Sequence, residues 1–406
     1  VPIVLYQFNP LDYKKPIPSD VGCQIDLDEN ACLSYTNDAS LLLPTSALRN
    51  DYFVVTRPSF HLGNQSGPST SWTDFPGFVA VTATEDGTIL NVKSTAAVRA
   101  GSGGISSTPA GGTHSFSLNA GDVILLLTEE LPESEFDQSC TSMDVYPVTF
   151  HLCASQSGHD FTGTRITSTA PVSVIGGHDC TMVPYGLWAC DHLEESMIPV
   201  ESLGTELVVS AVQSTTALDS QGATDPMFVR VLSAGADNQI EFDPPSIHPK
   251  LTLGEGEFVE IGPLTSDFVV RGTNRLLVAQ FMTGKNATGL KVQGEVGDPA
   301  QSLAIPSEQF RSDYTVLAPA TYKHSFVNVI TTAGTSVSVD GVPIPADVFA
   351  PVGSSDYVVA RRAVTGGAHA LSSSGKFGVV VYGYGLYTSY MYPGGLNLET
   401  VVLQPK

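Results

Sequence analysis

Positive charge is what this chain has least of. Only 19 of its 406 residues are lysine or arginine, against 41 aspartates and glutamates, for a formal net charge of −22. Phosphate recognition needs clustered basic side chains, and none cluster here, which excludes nucleic acid as a partner. Apolar runs are short: none approaches the ~20 residues of a membrane-spanning helix. No amphipathic helical stretch stands out. A Gly-x-Ser-x-Gly elbow for a nucleophilic hydrolase is missing, and Gly176-Gly177-His178-Asp179 has no serine at the required place. Gly101-Ser102-Gly103-Gly104 precedes neither a lysine nor a helix signal, so it reads as a flexible insert and not as a phosphate cradle. With these absences the chain reads as non-enzymatic.

What is abundant points to strands. The sequence holds 38 glycines and 27 prolines, is 42% hydrophobic and only 15% charged. Short apolar runs between turn residues make an all-β fold of antiparallel strands. The runs also repeat. Ser40-Leu41-Leu42-Leu43-Pro44, Ser196-Met197-Ile198-Pro199 and Ser302-Leu303-Ala304-Ile305-Pro306 share one opening. Apolar residues follow at matched spacings (Leu48, Leu203, Phe310, then Tyr52, Leu207, Tyr314). A second strand of one pattern comes next: Phe78-Val79-Ala80-Val81, Phe228-Val229-Arg230-Val231, Phe326-Val327-Asn328-Val329. Each copy closes on an apolar run at 171–175, 276–281 or 377–382. Solenoid repeats run from ~20 to ~50 residues, and this period is far longer, so the copies are whole β-sandwich-like units. The expected organisation is 1–36, 37–180, 181–297 and 298–406, the last three being the units.

Val1-Pro2-Ile3-Val4-Leu5-Tyr6 resembles the closing run of a unit of which nothing else is in the sequence. The rest of that unit is missing, was removed by processing, or the strand is donated to a neighbouring molecule. In strand donation, Val1, Ile3, Leu5 and Phe8 would carry self-assembly into a fibre or matrix, main-chain hydrogen bonds supplying the affinity.

Six cysteines fall in three close pairs, Cys23 with Cys32, Cys140 with Cys153 and Cys180 with Cys190. Local disulfides in this pattern place the chain in an oxidising, extracellular or outer-surface setting. Connectivity is not fixed by sequence, and His178, Cys180, Cys190 and His192, or His151, Cys153 and His159, leave zinc open, although no Cys-x-x-Cys or His-x-x-x-His spacing occurs. Acidic residues gather at Asp26, Asp28 and Glu29 and again between Glu129 and Asp137, a possible set of hard oxygen ligands for calcium, without EF-hand spacing. A calcium-dependent, lectin-like glycan binder is thus one alternative. Tyr382, Tyr384, Tyr387, Tyr390 and Tyr392 crowd the C-terminus, where Val379 and Val381 alternating with Tyr382 and Tyr384 read as a two-faced strand, the tyrosines packed in a core or between units, or forming a binding patch.

Several motifs together resemble the N-terminal domain family of IgGFc-binding proteins: 6–11 (Tyr6 to Leu11), 37–44 (Asn37 to Pro44), 171–180 (Pro171 to Cys180), 189–193 (Ala189 to Leu193) and 297–314 (Gly297 to Tyr314). The resemblance spans nearly the whole chain and implies a secreted or surface protein, here of a bacterial branch, meeting protein or glycan at a cell surface or matrix. It brings no residue-level site. The expected role is adhesive or structural.

Overall fold

The computed structural model describes residues 38–402 apart from 131–139, 146–147, 155–157, 188–189, 218–221, 285–296 and 386–387, and with them Ile25–Asp26 and Ala31–Cys32. Strands joined by turns and single 3-10 turns build it, with no α-helix among the described residues. Three large antiparallel sheets, of seven, seven and eight strands, follow one another along the chain and each curls into a half-barrel. We call them units one, two and three.

Each sheet is organised by one very long strand: Arg165–Thr181, Phe268–Met282 and Gly367–Gly385. Its first half pairs with the strand after the shared opening (Arg49–Phe53, Gly204–Val209, Arg311–Ala318) and with a short inner strand (Thr88–Lys93, Asn238–Asp243, Val337–Val339). Its second half pairs with the Phe-Val-x-Val strand (Gly77–Ala83, Met227–Ser233, His324–Thr332) and with a return strand (Asp191–Ser196, Ala300–Leu303, Thr388–Pro393). The return strands of units one and two therefore come from beyond 180 and 297. Between the halves the register shifts, at Thr167/Val172, Gly204/Glu206 and Arg311/Asp313. An irregularity there lets one strand turn the corner between two packed layers.

The repeated sequence positions have repeated jobs. Pro44, Pro199 and Pro306 each start a 3-10 turn, their carbonyls accepting from Ala47, Ser202 and Gln309 at 2.8–2.9 Å. The apolar residue after each turn, Leu48, Leu203 or Phe310, is buried. Tyr52 and Tyr314 fill the gap where the ladder breaks: their hydroxyls donate to Val172 O at 2.8 Å and Phe377 O at 2.5 Å, and accept from Arg49 N and Arg311 N. Such a buried hydroxyl needs both partners. Unit two has Leu207 in that place, simply buried. Burial alternates strictly where one face meets water, as in Thr88–Lys93 with Thr88, Leu90 and Val92 inward. It is continuous where both faces are covered, as in the last nine residues of Gly367–Gly385.

The units are fused. One core cluster runs from Tyr52 and Leu90 of unit one through Phe281 of unit two to Phe326, Ile330 and Tyr382 of unit three. Of the C-terminal tyrosines, Tyr382 and Tyr384 belong to this packing and donate to Asn328 Oδ1 and Gln213 O, while Tyr390 and Tyr392 are buried in unit three's own core and donate to Ser325 Oγ and Leu317 O. Tyr387 lies outside the described residues.

Cys180 and Cys190 form a disulfide across a separation of 10 residues, joining the end of the long strand to the start of its return strand. A loop of this size is worth ~2–3 kcal/mol in the chain-entropy model. Cys190→Ser is expected to lower the melting temperature of the fused core, and reductant to do the same to the wild type but not to the variant beyond the effect of the other bridges. Melting curves with and without reductant check this.

Candidate binding surface

Among the described residues, unit one carries a second sheet that has no counterpart in units two and three. Phe60–Ser66 and Ser69–Phe75 form a hairpin, Thr141–Val145 and Val148–Ala154 form another, and the two join through Phe60–Ser66 and Val148–Ala154 into a four-stranded arm. Its base is apolar: Phe60, Leu152 and Met182 are buried together, with Leu62, Phe75 and Tyr185 against them. The Phe60 and Phe75 rings stack at 4.8 Å. This cluster seats the arm on the loop closed by Cys180–Cys190.

The opposite face of the arm is polar and ordered. Period-two alternation puts Ser142, His151, Gly63 and Trp72 side by side in one row, with Asp144, Thr149, Gln65 and Thr70 in the next. The imidazole of His151 bridges the sheet, its Nδ1 2.9 Å from Ser142 Oγ and its Nε2 2.7 Å from Gln65 Oε1. Thr149 Oγ1 donates to Asp144 Oδ1 at 2.7 Å. The indole of Trp72 lies across Gly63, where a Cβ would come within 2.7 Å of the ring, and 6.3 Å from the His151 ring. Only glycine leaves room for the ring there. Behind this row, His61 pairs with Asp74, and burial outweighs that carboxylate in lowering the His61 pKa. Cys140 and Cys153 are disulfide-bonded at the arm's edge. A half-buried tryptophan framed by hydroxyls, an imidazole and an amide offers rigid contact area and adaptable hydrogen bonds.

The four cysteines just described are in disulfides, so they cannot be the thiolates of the zinc sites considered above. His178 is buried, donates from Nε2 to Pro58 O at 3.0 Å and is held neutral, its pKa pushed down to about 3 chiefly by burial. His192 stacks on Phe78 at 5.7 Å. Among the described residues no three His, Cys, Asp or Glu side chains gather as a metal site. Of the calcium candidates, Asp26 lies in the two-residue strand Ile25–Asp26, which pairs with Ala31–Cys32, while Asp28 and Glu29 lie outside the described residues. So do Cys23 and the assembly candidates Val1, Ile3, Leu5 and Phe8. Sequence reasoning missed the arm face. Its only signal was Trp72, one of two tryptophans in the chain, inside a Ser/Thr-rich alternation.

A family model described as IgGFc binding protein matches residues 38–383, nearly all of the fused core. The chain belongs to the IgGFc-binding protein family. Over 187 residues it is 25% identical to the IgGFc-binding protein of Homo sapiens, a stretch covering 45% of this chain and 3% of that protein. This family member therefore spans only a small part of that relative's length. Among solved structures, an anti-sigma factor domain-containing protein from Clostridium clariflavum aligns over 87% of this chain and 93% of its own at 10% identity, with a TM-score of 0.14, too low to relate the folds. No helix among the described residues of this IgGFc-binding family member is long and apolar enough to cross a membrane.

Proposed function

We propose that this chain is a secreted or cell-surface, non-enzymatic β-repeat protein with an adhesive or structural role, holding other proteins or their glycans on the polar face of the arm. The observation that carries the reading is the ordered row of Ser142, His151 and Trp72, displayed on one unit of three and set on a rigid, fused scaffold. Loops and appended sheets on a rigid core are where binding concentrates. Two disulfides favour an oxidising compartment. The human relative is named for binding IgG Fc, and the family shares a scaffold from which binding to proteins is the natural inference.

Retention of the chain on surfaces coated with IgG Fc and with mucin glycoprotein tests this. At least one surface is expected to retain the wild type, and Trp72→Ala to weaken that retention about tenfold or more, as for a central aromatic anchor, without a change in melting temperature. Equal retention of the variant would move the site off the arm, and no retention on either surface would count against adhesion to these ligands. Chelator in the buffer separates calcium-dependent glycan capture, the alternative attached to Asp26, Asp28 and Glu29, from direct contact with the arm.

A further inference from the structure

The three units are the same sheet used three times, so the same position can be compared in each. Take the third residue of the Phe-Val-x-Val strand together with its partners on either side. Unit one has Ala80 between Leu125 and Ile175, unit two has Arg230 between Glu260 and Ala279, and unit three has Asn328 between Arg361 and Val380. These side chains all point away from their own unit's inner core.

In units two and three that outward face is covered by the unit before it. Arg230 donates to Thr56 O at 2.8 Å and to Asp160 Oδ2 at 2.6 Å in unit one. Asn328 donates to Ala211 O at 2.9 Å in unit two, and Arg361 reaches both Ala211 O and Asp267. Thr56 and Ala211 are equivalent, each four residues past the matched Tyr52 and Leu207. The two junctions are therefore one interface made twice. Around the polar pairs, Leu232, Phe326 and Ile330 are 0%, 3% and 3% exposed.

In unit one no other unit covers the same face among the described residues. Gly77–Ala83 alternates between buried and half-buried residues, with Phe78, Ala80 and Thr82 on the outer side, and on the neighbouring strand Val123 and Leu125 are 59% and 49% exposed. It is also uncharged at the positions where units two and three place Arg230, Glu260 and Arg361. The complementary end of unit three is exposed only in part, since Ala318 is 1% exposed and Tyr322 packs with Ala39. The position matching Thr56 and Ala211 is Ala318, and beyond it Ala320, Thr321, Thr365, Gly366 and Ala368 are exposed. Units one and two offer Asp160 and Asp267 to a cation here, whereas in unit three the neighbouring carboxylate, Asp340, is taken up by His369 Nδ1 at 2.7 Å and Ala370 N at 2.9 Å.

We propose that the outer face of unit one, centred on Ala80, Val123 and Leu125, docks the Ala318–Ala320 end of unit three from a second copy of the chain, repeating between molecules the junction made twice within one. The contact is heterologous, head to tail, so it propagates into open strings or closes into rings. It needs no strand exchange, and each junction buries an exposed apolar patch of the kind that marks interaction surfaces.

The test is the mass of the whole chain in solution by light scattering from dilute to concentrated, for the wild type and for Leu125→Asp, Val123→Asp, Ala320→Arg and the control Val342→Asp. Val342 is 65% exposed on the short strand Val342–Pro343 of unit three and is not part of the Ala318–Ala320 segment. The wild type and the control are expected to associate with rising concentration. Both face variants and Ala320→Arg should weaken association about tenfold or more while melting as the wild type does; the two face variants guard against one of them misfolding. A monomer at every concentration overturns the proposal, including the case in which residues 1–37 of the same molecule cover the face. Association sensitive to Leu125→Asp and Val123→Asp but not to Ala320→Arg overturns it as well, since the face would then meet some other surface.

Discussion

Arg230→Met is expected to cost about 3–5 kcal/mol and to lower the melting temperature by on the order of 10 °C, the usual penalty for orphaning buried charge partners in a fold of this size. Arg230 is 4% exposed, bonds Glu260 of its own unit through Nε at 2.7 Å, and holds unit two to unit one through three hydrogen bonds, from Nη1 to Asp160, Thr162 and Thr56 at 2.6–2.8 Å. Its guanidinium lies 4.8 Å from the Phe258 ring centre. Arg57 pairs with the same Glu260 and lies over Phe281 at 5.0 Å. Two cations and two acids thus close one neutral network at the junction. Methionine keeps most of the volume but strands Asp160. Burial alone would raise the Asp160 pKa; the Arg230 charge and the Thr162 hydrogen bonds outweigh it and hold it below the usual range. Glu260 is likewise held low, against its burial, by Arg57 and Arg230. A carboxylate with a depressed folded pKa contributes stability that is present above its unfolded pKa and lost as pH falls through the folded value. The gap between wild type and variant should therefore be wide at neutral pH and shrink in acid. Adding Asp160→Asn to Arg230→Met should recover part of the loss, and a double-mutant cycle by chemical denaturation measures how much. Equal melting of wild type and Arg230→Met at neutral pH would show that the network does not hold the units together.

The all-β class and the three-fold repetition were legible because inner-core positions recur with fixed spacing: Leu48, Leu203 and Phe310 are buried alike. The closing runs of units two and three were legible because strands covered on both faces read as unbroken apolar sequence, and that of unit one because its buried Val172 and Val174 alternate with half-covered residues. Their first halves were not. Arg165-Ile166-Thr167-Ser168 and Ser372-Ser373-Ser374-Gly375 face water on one side and read as loop, although they continue the same strands. The junctions were half visible. Arg230 and Asn328 are polar residues in the middle of an apolar strand motif, and that oddity is the mark of a side chain that finds its partners in another unit. Those partners, Asp160 and Ala211 among them, lie 70 and 117 residues away in sequence, which no local pattern encodes. The tyrosines were recognisable as a two-faced strand, but their hydroxyl acceptors again come from distant chain. The arm was hidden because its face is built from Ser, Thr, His and Gln, residues that ordinarily signal loops.

Glu195→Gln is expected to stabilise the protein at pH 8 and to flatten its loss of stability with rising pH. Glu195 is fully buried where residues 38–41 cross the return strand of unit one, accepting at Oε1 from Ser40 Oγ at 2.8 Å, Ser196 N at 3.0 Å and Leu41 N at 3.3 Å. Burial pushes its carboxyl up from 4.5 to about 8, with hydrogen bonds from Ser40, Leu41, Ser196 and Leu303 pulling the other way. Asp38 and Asp191 lie close by, also raised well above the usual range by burial, and repulsion from Glu194 and Glu195 adds to the first as repulsion from Asp298 adds to the second. A carboxyl whose folded pKa is raised binds its proton more tightly in the folded state. Its contribution is fully present below the unfolded value and drains away as pH climbs to the folded one, for Glu195 between 4.5 and about 8, at about 1 kcal/mol per pH unit. Glutamine still accepts at the same oxygen and has no proton to lose, so the variant should match the wild type near the bottom of that window and exceed it at the top. Denaturation midpoints measured across the window decide the matter; parallel profiles for the two proteins would mean that Glu195 keeps an ordinary carboxyl. The junction of units one and two works in the opposite sense and lower on the scale, since Asp160 and Glu260 are held below the usual carboxylate range and lose their contribution only in stronger acid. One network fails on acidification and the other carboxyls fail on alkalinisation, so Arg230→Met and Glu195→Gln should depart from the wild type at opposite ends of the pH scale.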